Sequence, residues 1–109
     1  MGGDGGTGAR VNDIDVRDAA TEQRYEARQG ATVVGVLLYE LDGDVVTFTH
    51  TEVDPQAEGM GVGSALARRA LDDARASGRR VVPACPFVKA WIGRHREYAD
   101  LVESPGPQR

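Results

Sequence analysis

The sequence predicts one mixed α/β (α+β) domain, in which an antiparallel β-meander is joined through a helical crossover to a parallel strand and followed by a C-terminal helix. Three observations predict it. Runs of β-branched and aromatic residues separated by turn signals fill the first half, helical periodicity takes over at Val62, and the glycine-rich stretch Glu58 to Ser64 lies between the two regimes. A chain of 109 residues, 40% hydrophobic, fills one small core and leaves nothing for a second.

Val11, Ile14 and Val16 mark a short first strand over 11–16, with a polar connection from Asp18 to Glu22. From Gln23 to Arg28 the chain alternates, Tyr25 and Ala27 on one face and Arg24, Glu26 and Arg28 on the other, as a half-exposed strand does. Gln29-Gly30 turns it into Thr32 to Leu41, where Val33, Val34, Val36, Leu37, Leu38 and Tyr39 predict a central strand covered on both faces. Asp42-Gly43-Asp44 is a tight-turn signal leading to a strand over Val45 to Val53. Period-2 alternation expects Val46, Phe48, His50 and Glu52 on one face there, and Val45, Thr47, Thr49, Thr51 and Val53 on the other. Pro55 ends the pairing.

Beyond the glycines, Val62, Leu66, Ala70 and Ala74 recur four apart, broadened by Ala67 and Leu71, and Gly78 supplies a left-handed cap. That is a helix of about four turns. Val81 to Cys85 is a short strand, parallel to the one ending at Val53 because a crossover reaches it, with Pro83 limiting its pairing. Pro86 opens a last helix in which Phe87, Val88, Trp91, Ile92, His95, Tyr98, Leu101 and Val102 keep helical spacing and Gly93 marks a break. Residues 1–9 are glycine-rich and expected to be disordered, the folded unit is expected over 10–102, and 103–109, with two prolines, reads as a flexible tail.

Charge and cysteine content narrow the function. The net charge of −4 is spread along the chain and gives no basic stripe for nucleic acid or an anionic membrane. A single cysteine allows no internal disulfide, and no apolar run approaches a membrane span or a signal segment. A cytoplasmic protein is expected. Met1-Gly2-Gly3 begins like a lipidation signal, but Gly6 stands where Ser or Thr is required. No metal site is expected.

In Glu58-Gly59-Met60-Gly61-Val62-Gly63-Ser64 the alternate glycines let successive N–H groups converge on an anion, and the helix N-terminus adds its positive end to the same spot. Walker A is excluded because no lysine separates Gly63 from Ser64. A Rossmann turn is excluded because Ser64 stands in place of the third glycine. Taken alone, the turn reads equally as a loop that starts a helix.

Its neighbours resolve that. Val53-Asp54-Pro55 followed by Gly61-Val62-Gly63 resembles the GNAT superfamily of N-acetyltransferases, whose cradle is written Gln/Arg-x-x-Gly-x-Gly/Ala after a strand end of the form Val-x-Pro. The motif departs at its first position, Glu58, where an acid faces a pyrophosphate site. His50-Thr51-Glu52-Val53, Val82-Pro83-Ala84-Cys85-Pro86-Phe87-Val88 and Glu97-Tyr98-Ala99-Asp100-Leu101-Val102 further resemble the minimal single-domain GNAT-like acetyltransferases over residues 11–102. The resemblance implies a GNAT-like fold with acetyl-coenzyme A as donor and a primary amine, of a small molecule or a protein, as acceptor. It also implies the pyrophosphate on Glu58, Gly59, Met60, Gly61, Val62, Gly63 and Ser64, and the pantetheine between the diverging strand ends at Val53 and Cys85.

Acetyl transfer to an amine needs the ammonium deprotonated, the carbonyl polarised and the departing thiolate protonated. Cys85, at a strand end just before a helix N-terminus, stands where a thiol pKa is lowered; it is a candidate nucleophile or a pocket-lining residue. His50 is the candidate general base or thiol activator, with Glu52 second. Tyr98 corresponds by resemblance to a tyrosine that protonates the leaving thiolate in larger relatives, although its own stripe with Leu101 and Val102 reads as packing, as do Phe87 and Trp91. The expected activity is acetyl-coenzyme A-dependent N-acetylation. The alternative is a non-catalytic acyl-coenzyme A-binding or interaction module.

Overall fold

The structure is a computed structural model that describes residues 14–103. The expected N-terminal tail, the start of the first strand at Val11 and residues 104–109 of the expected C-terminal tail lie outside those residues; Glu103, expected in that tail, is held by its N–H on the Val81 carbonyl at 2.7 Å.

Five strands form one mixed sheet in sequential order: β1 (Ile14–Ala19), β2 (Arg24–Gln29), β3 (Thr32–Asp42), β4 (Val45–Val53) and β5 (Arg80–Pro83). The first four are antiparallel neighbours, and β5 joins β4 in parallel after helix α1 (Val62–Ala76) has crossed one face. Helix α2 (Pro86–Arg94) and a 3-10 helix (Arg96–Leu101) complete that layer. This is the expected meander, crossover and parallel strand.

Helix α1 is built as the periodicity requires, with Val62, Leu66, Ala67, Ala70, Leu71 and Ala74 all buried. Gly78 (φ +72°) ends it in the left-handed conformation, and Arg79 N–H reaches back to the Ala74 carbonyl at 2.9 Å. Against this stripe the sheet presents Tyr25, Ala27, Leu37 and Phe48, the last two almost fully buried. Burying a side chain of that size stabilises by about 1.5–3 kcal/mol. Tyr25 Oη donates to Asp73 at 2.8 Å and ties the helix to β2.

Four expectations change. The first strand runs to Ala19, because Val16 and Asp18 pair with Ala27 and Tyr25 and continue the ladder; only the 3-10 turn Ala20–Glu22 connects it onward. β3 is central as expected but covered on one face only, leaving Val36 and Leu38 half-buried and Val33 exposed. Glu26, expected in solvent, is 6% exposed because Arg24 and Arg28 close over it. The last helix stops at Arg94, beyond Gly93, and continues as a 3-10 turn that returns Val102 to bridge Val81.

Candidate active site

The site begins where β4 and β5 part. Their pairing runs only from Val45↔Arg80 to Phe48↔Pro83, after which Cys85 N–H donates to the Phe48 carbonyl at 2.8 Å and the chain turns into α2. At the same level β4 carries a bulge: Tyr39 faces Phe48 but Leu38 faces His50, so Thr49 is an extra residue. Below the bulge Thr49 to Val53 has no β5 neighbour.

The bulge also reverses the expected faces. Directly opposed residues share a face, so Thr51 joins Leu37 and Val53 joins Gly35 on the helix side, while His50 joins Leu38 and Glu52 joins Val36 on the far side. The expectation that Val46 and Phe48 share a face with His50 and Glu52 is therefore corrected, because one inserted residue shifts the period-2 pattern by half a cycle. His50 Nε2 and Glu52 Oε2 lie 2.9 Å apart, both exposed.

Cys85 is 3% exposed and forms the N-cap of α2. Its Sγ lies 3.1 Å from Thr51 Oγ1, so its polar neighbour is the threonine and the imidazole stands on the opposite face of the sheet. Thr51 had no sequence signal, since the alternation assigned it to the wrong face.

The glycine turn lies beside this opening. A 3-10 turn, Pro55–Ala57, is held by Asp54, whose carboxylate accepts the Gln56 N–H at 2.9 Å. Gly59 (φ +88°) and Gly61 (φ +77°) then take left-handed conformations that L side chains resist. Gly61 is the N-cap of α1 and offers no side chain to the helix. The ladder starts with Ala65 N–H on the Gly61 carbonyl, 3.0 Å, so the amides of Val62, Gly63 and Ser64 precede it. These groups border an open groove of ≈ 340 Å³ that runs from Val53 past Gly59, Gly61, Gly63 and Ser64 to Phe87.

Phe87, expected as core, is half-buried and forms a wall of this groove. A Cβ on Gly63 would stand 2.7 Å from Phe87 Cζ, so glycine is what lets the ring close there. Ser64 Oγ accepts from the buried Trp91 Nε1 at 2.9 Å and fixes α2 against the start of α1. Met60 is half-buried and packs on the core, and exposed Glu58 borders the groove. Amides at a helix start and an absence of Cβ atoms suit a diphosphate; the Glu58 carboxylate is the mismatched group.

Tyr98 is placed elsewhere. Its buried hydroxyl donates to Asp72 at 2.6 Å and receives Arg68 at 3.4 Å; the hydrogen bond to Asp72, with burial, raises its pKa. Asp72 lies nine residues along α1 from Gly63, about 13 Å at the helical rise. The tyrosine links the 3-10 turn to the helix, and its proton is committed there.

Two solved structures share this architecture. A GCN5-like protein of Staphylococcus aureus superposes with a TM-score of 0.65 at 19% identity, covering 92% of this chain and 100% of that one. The ribosomal-protein-S18-alanine N-acetyltransferase of Escherichia coli superposes with a TM-score of 0.54 at 21% identity, covering 70% of this chain and 52% of the other. At these identities the likeness is one of fold. Comparison with curated protein sequences returns no match. A family model, GCN5-related N-acetyl-transferase, matches residues 24–101, most of the chain. The protein belongs to the GCN5-related N-acetyltransferase family.

Proposed function

We propose that the protein transfers an acetyl group from acetyl-coenzyme A to a primary amine. The observation that carries this reading is the parting of β4 and β5 at the Thr49 bulge, beside a glycine turn at a helix N-terminus, with Cys85 and Thr51 on one side of the opening and His50 and Glu52 on the other. The amides of Val62, Gly63 and Ser64 and the positive end of α1 hold the donor's diphosphate. Bound acetyl-coenzyme A supplies an activated thioester.

The chain's own groups then divide the work. Cys85, at the N-terminus of α2 with Thr51 Oγ1 3.1 Å from its sulfur, attacks the acetyl carbonyl; the new S–C bond forms as the donor's S–C bond breaks, and the thiol proton passes to the departing coenzyme A sulfur. On the far face His50, oriented by Glu52, takes the proton from the acceptor ammonium. The free amine forms the N–C bond as the Cys85 S–C bond breaks, and the proton its nitrogen then loses returns to the Cys85 sulfur. Tyr98 is left out of this scheme because its hydroxyl is bound to Asp72.

The rival reading is a non-catalytic acyl-coenzyme A-binding module, and exposed Glu58 beside the groove is the observation in its favour. Incubation with radiolabelled acetyl-coenzyme A and a panel of amines separates them. Catalysis gives amine-dependent release of free thiol and labelled amide. Measurable cofactor binding with no release for any amine rejects the enzyme.

A further inference from the structure

We propose that the acceptor is a small amine whose apolar body ends in an anionic group, recognised by the sheet face opposite α1. This rests on the acetyl-transfer reading above. Three features lie on that face in register. On β4, His50 and Glu52 form the amine-facing end. Opposite them on β3 stand Leu38 and Val36; an open groove of ≈ 390 Å³ at the ends of β3 and β4, bordered by Val33, Val36 and Glu52 together with Val53, Asp54 and Pro55, adjoins this face without reaching Leu38. Beyond, on β2, Arg24 faces Leu38, Glu26 faces Val36 and Arg28 faces Val33.

The β2 cluster is built to present positive charge. Buried Glu26 receives Arg24 Nε and Nη2 at 2.9 and 2.7 Å and Arg28 Nη2 at 3.0 Å. Two guanidinium groups share one carboxylate, which leaves a net charge of +1 (two minus one). Arg28 Nε is shielded from solvent and has no acceptor among the described residues. Each guanidinium has five N–H donors, so both keep donors for a second carboxylate, held in position by the first.

The spacing fixes the acceptor's shape. From β4 to β2 is two strand separations, about 10 Å. An aliphatic chain of that length lies over Val36 and Leu38 and removes their exposed surface from water, with its amine at Glu52 and His50 and its anion at Arg24 and Arg28. A diamine of equal length would set a cation against a cationic cluster.

The test compares kcat/KM for 8-aminooctanoate, octylamine and 1,8-diaminooctane by thiol release. The wild type should favour the amino acid about fivefold over octylamine, use the diamine least, and lose the difference as ionic strength rises. Arg24→Gln leaves Glu26 paired with Arg28 and the cluster neutral, and should abolish the preference; taking the ratio within each variant cancels any loss of folded protein. Equal kcat/KM for the three amines in the wild type, or a preference retained in Arg24→Gln, overturns the inference and leaves acetyl transfer standing. Release with none of them, nor with any amine of the wider panel, removes the activity and this inference with it.

Discussion

Among the described residues, Glu58 is the one charged side chain bordering the groove beside the glycine turn. Where the family motif carries Gln or Arg, this chain holds a carboxylate near a site suited to diphosphate. At a few ångströms in a partly screened setting the repulsion is about 1 kcal/mol, roughly a fivefold change in affinity. Glu58→Gln should therefore tighten coenzyme A binding by that factor in a calorimetric titration; an unchanged Kd means the side chain turns away from the ligand. Cys85 gives a second residue-level prediction. Brief exposure to acetyl-coenzyme A should add one acetyl group to the intact protein, and Cys85→Ala should remove the adduct. Undiminished turnover in Cys85→Ser would refute the nucleophile. Both residues were visible in the sequence as residue types near a motif. Their surroundings were not: Cys85 meets Thr51 only because a bulge turns Thr51 inward.

At the scale of elements, α1 lies tightly across β3. A Cβ on Gly35 would meet Val62 Cγ1 at 2.6 Å and the Glu52 carbonyl and Leu66 Cδ1 at 3.3 Å. The glycine lets the start of the helix close on the strand beside Val53. Gly35→Ala should destabilise by about 1–3 kcal/mol, as overpacking does, and lower the urea midpoint at an unchanged m-value; a midpoint equal to wild type would mean the helix shifts freely. The sequence announced α1 fully, since a four-residue stripe and a capping glycine are local signals. The Gly35 contact and the Thr49 bulge were invisible, because each depends on a partner far along the chain.

For the whole molecule, Glu26 ties charge to fold stability. Hydrogen bonds from Arg24, then Arg28, hold its pKa below the ordinary carboxylate value against the opposing effect of burial. A depressed folded-state pKa contributes stability that is present above the unfolded value, about 4.3, and is lost as pH falls through the folded value. Wild-type stability should fall on acidification below that range, and Glu26→Gln should fall less over the same interval. Identical pH slopes in denaturant titrations would contradict this.

The sequence by itself determined the order of elements, the helical crossover, the parallel last strand and the resemblance to the acetyltransferases, because periodicity, turn residues and a short motif are written locally. Only the tertiary structure decided which groups meet. One extra residue in β4 exchanges the faces of His50 and Thr51, gives Cys85 a hydroxyl neighbour in place of an imidazole, and puts the base candidates on the face that carries the Arg24–Glu26–Arg28 cluster. A bulge is set by pairing between strands, and alternation within one strand holds no record of it.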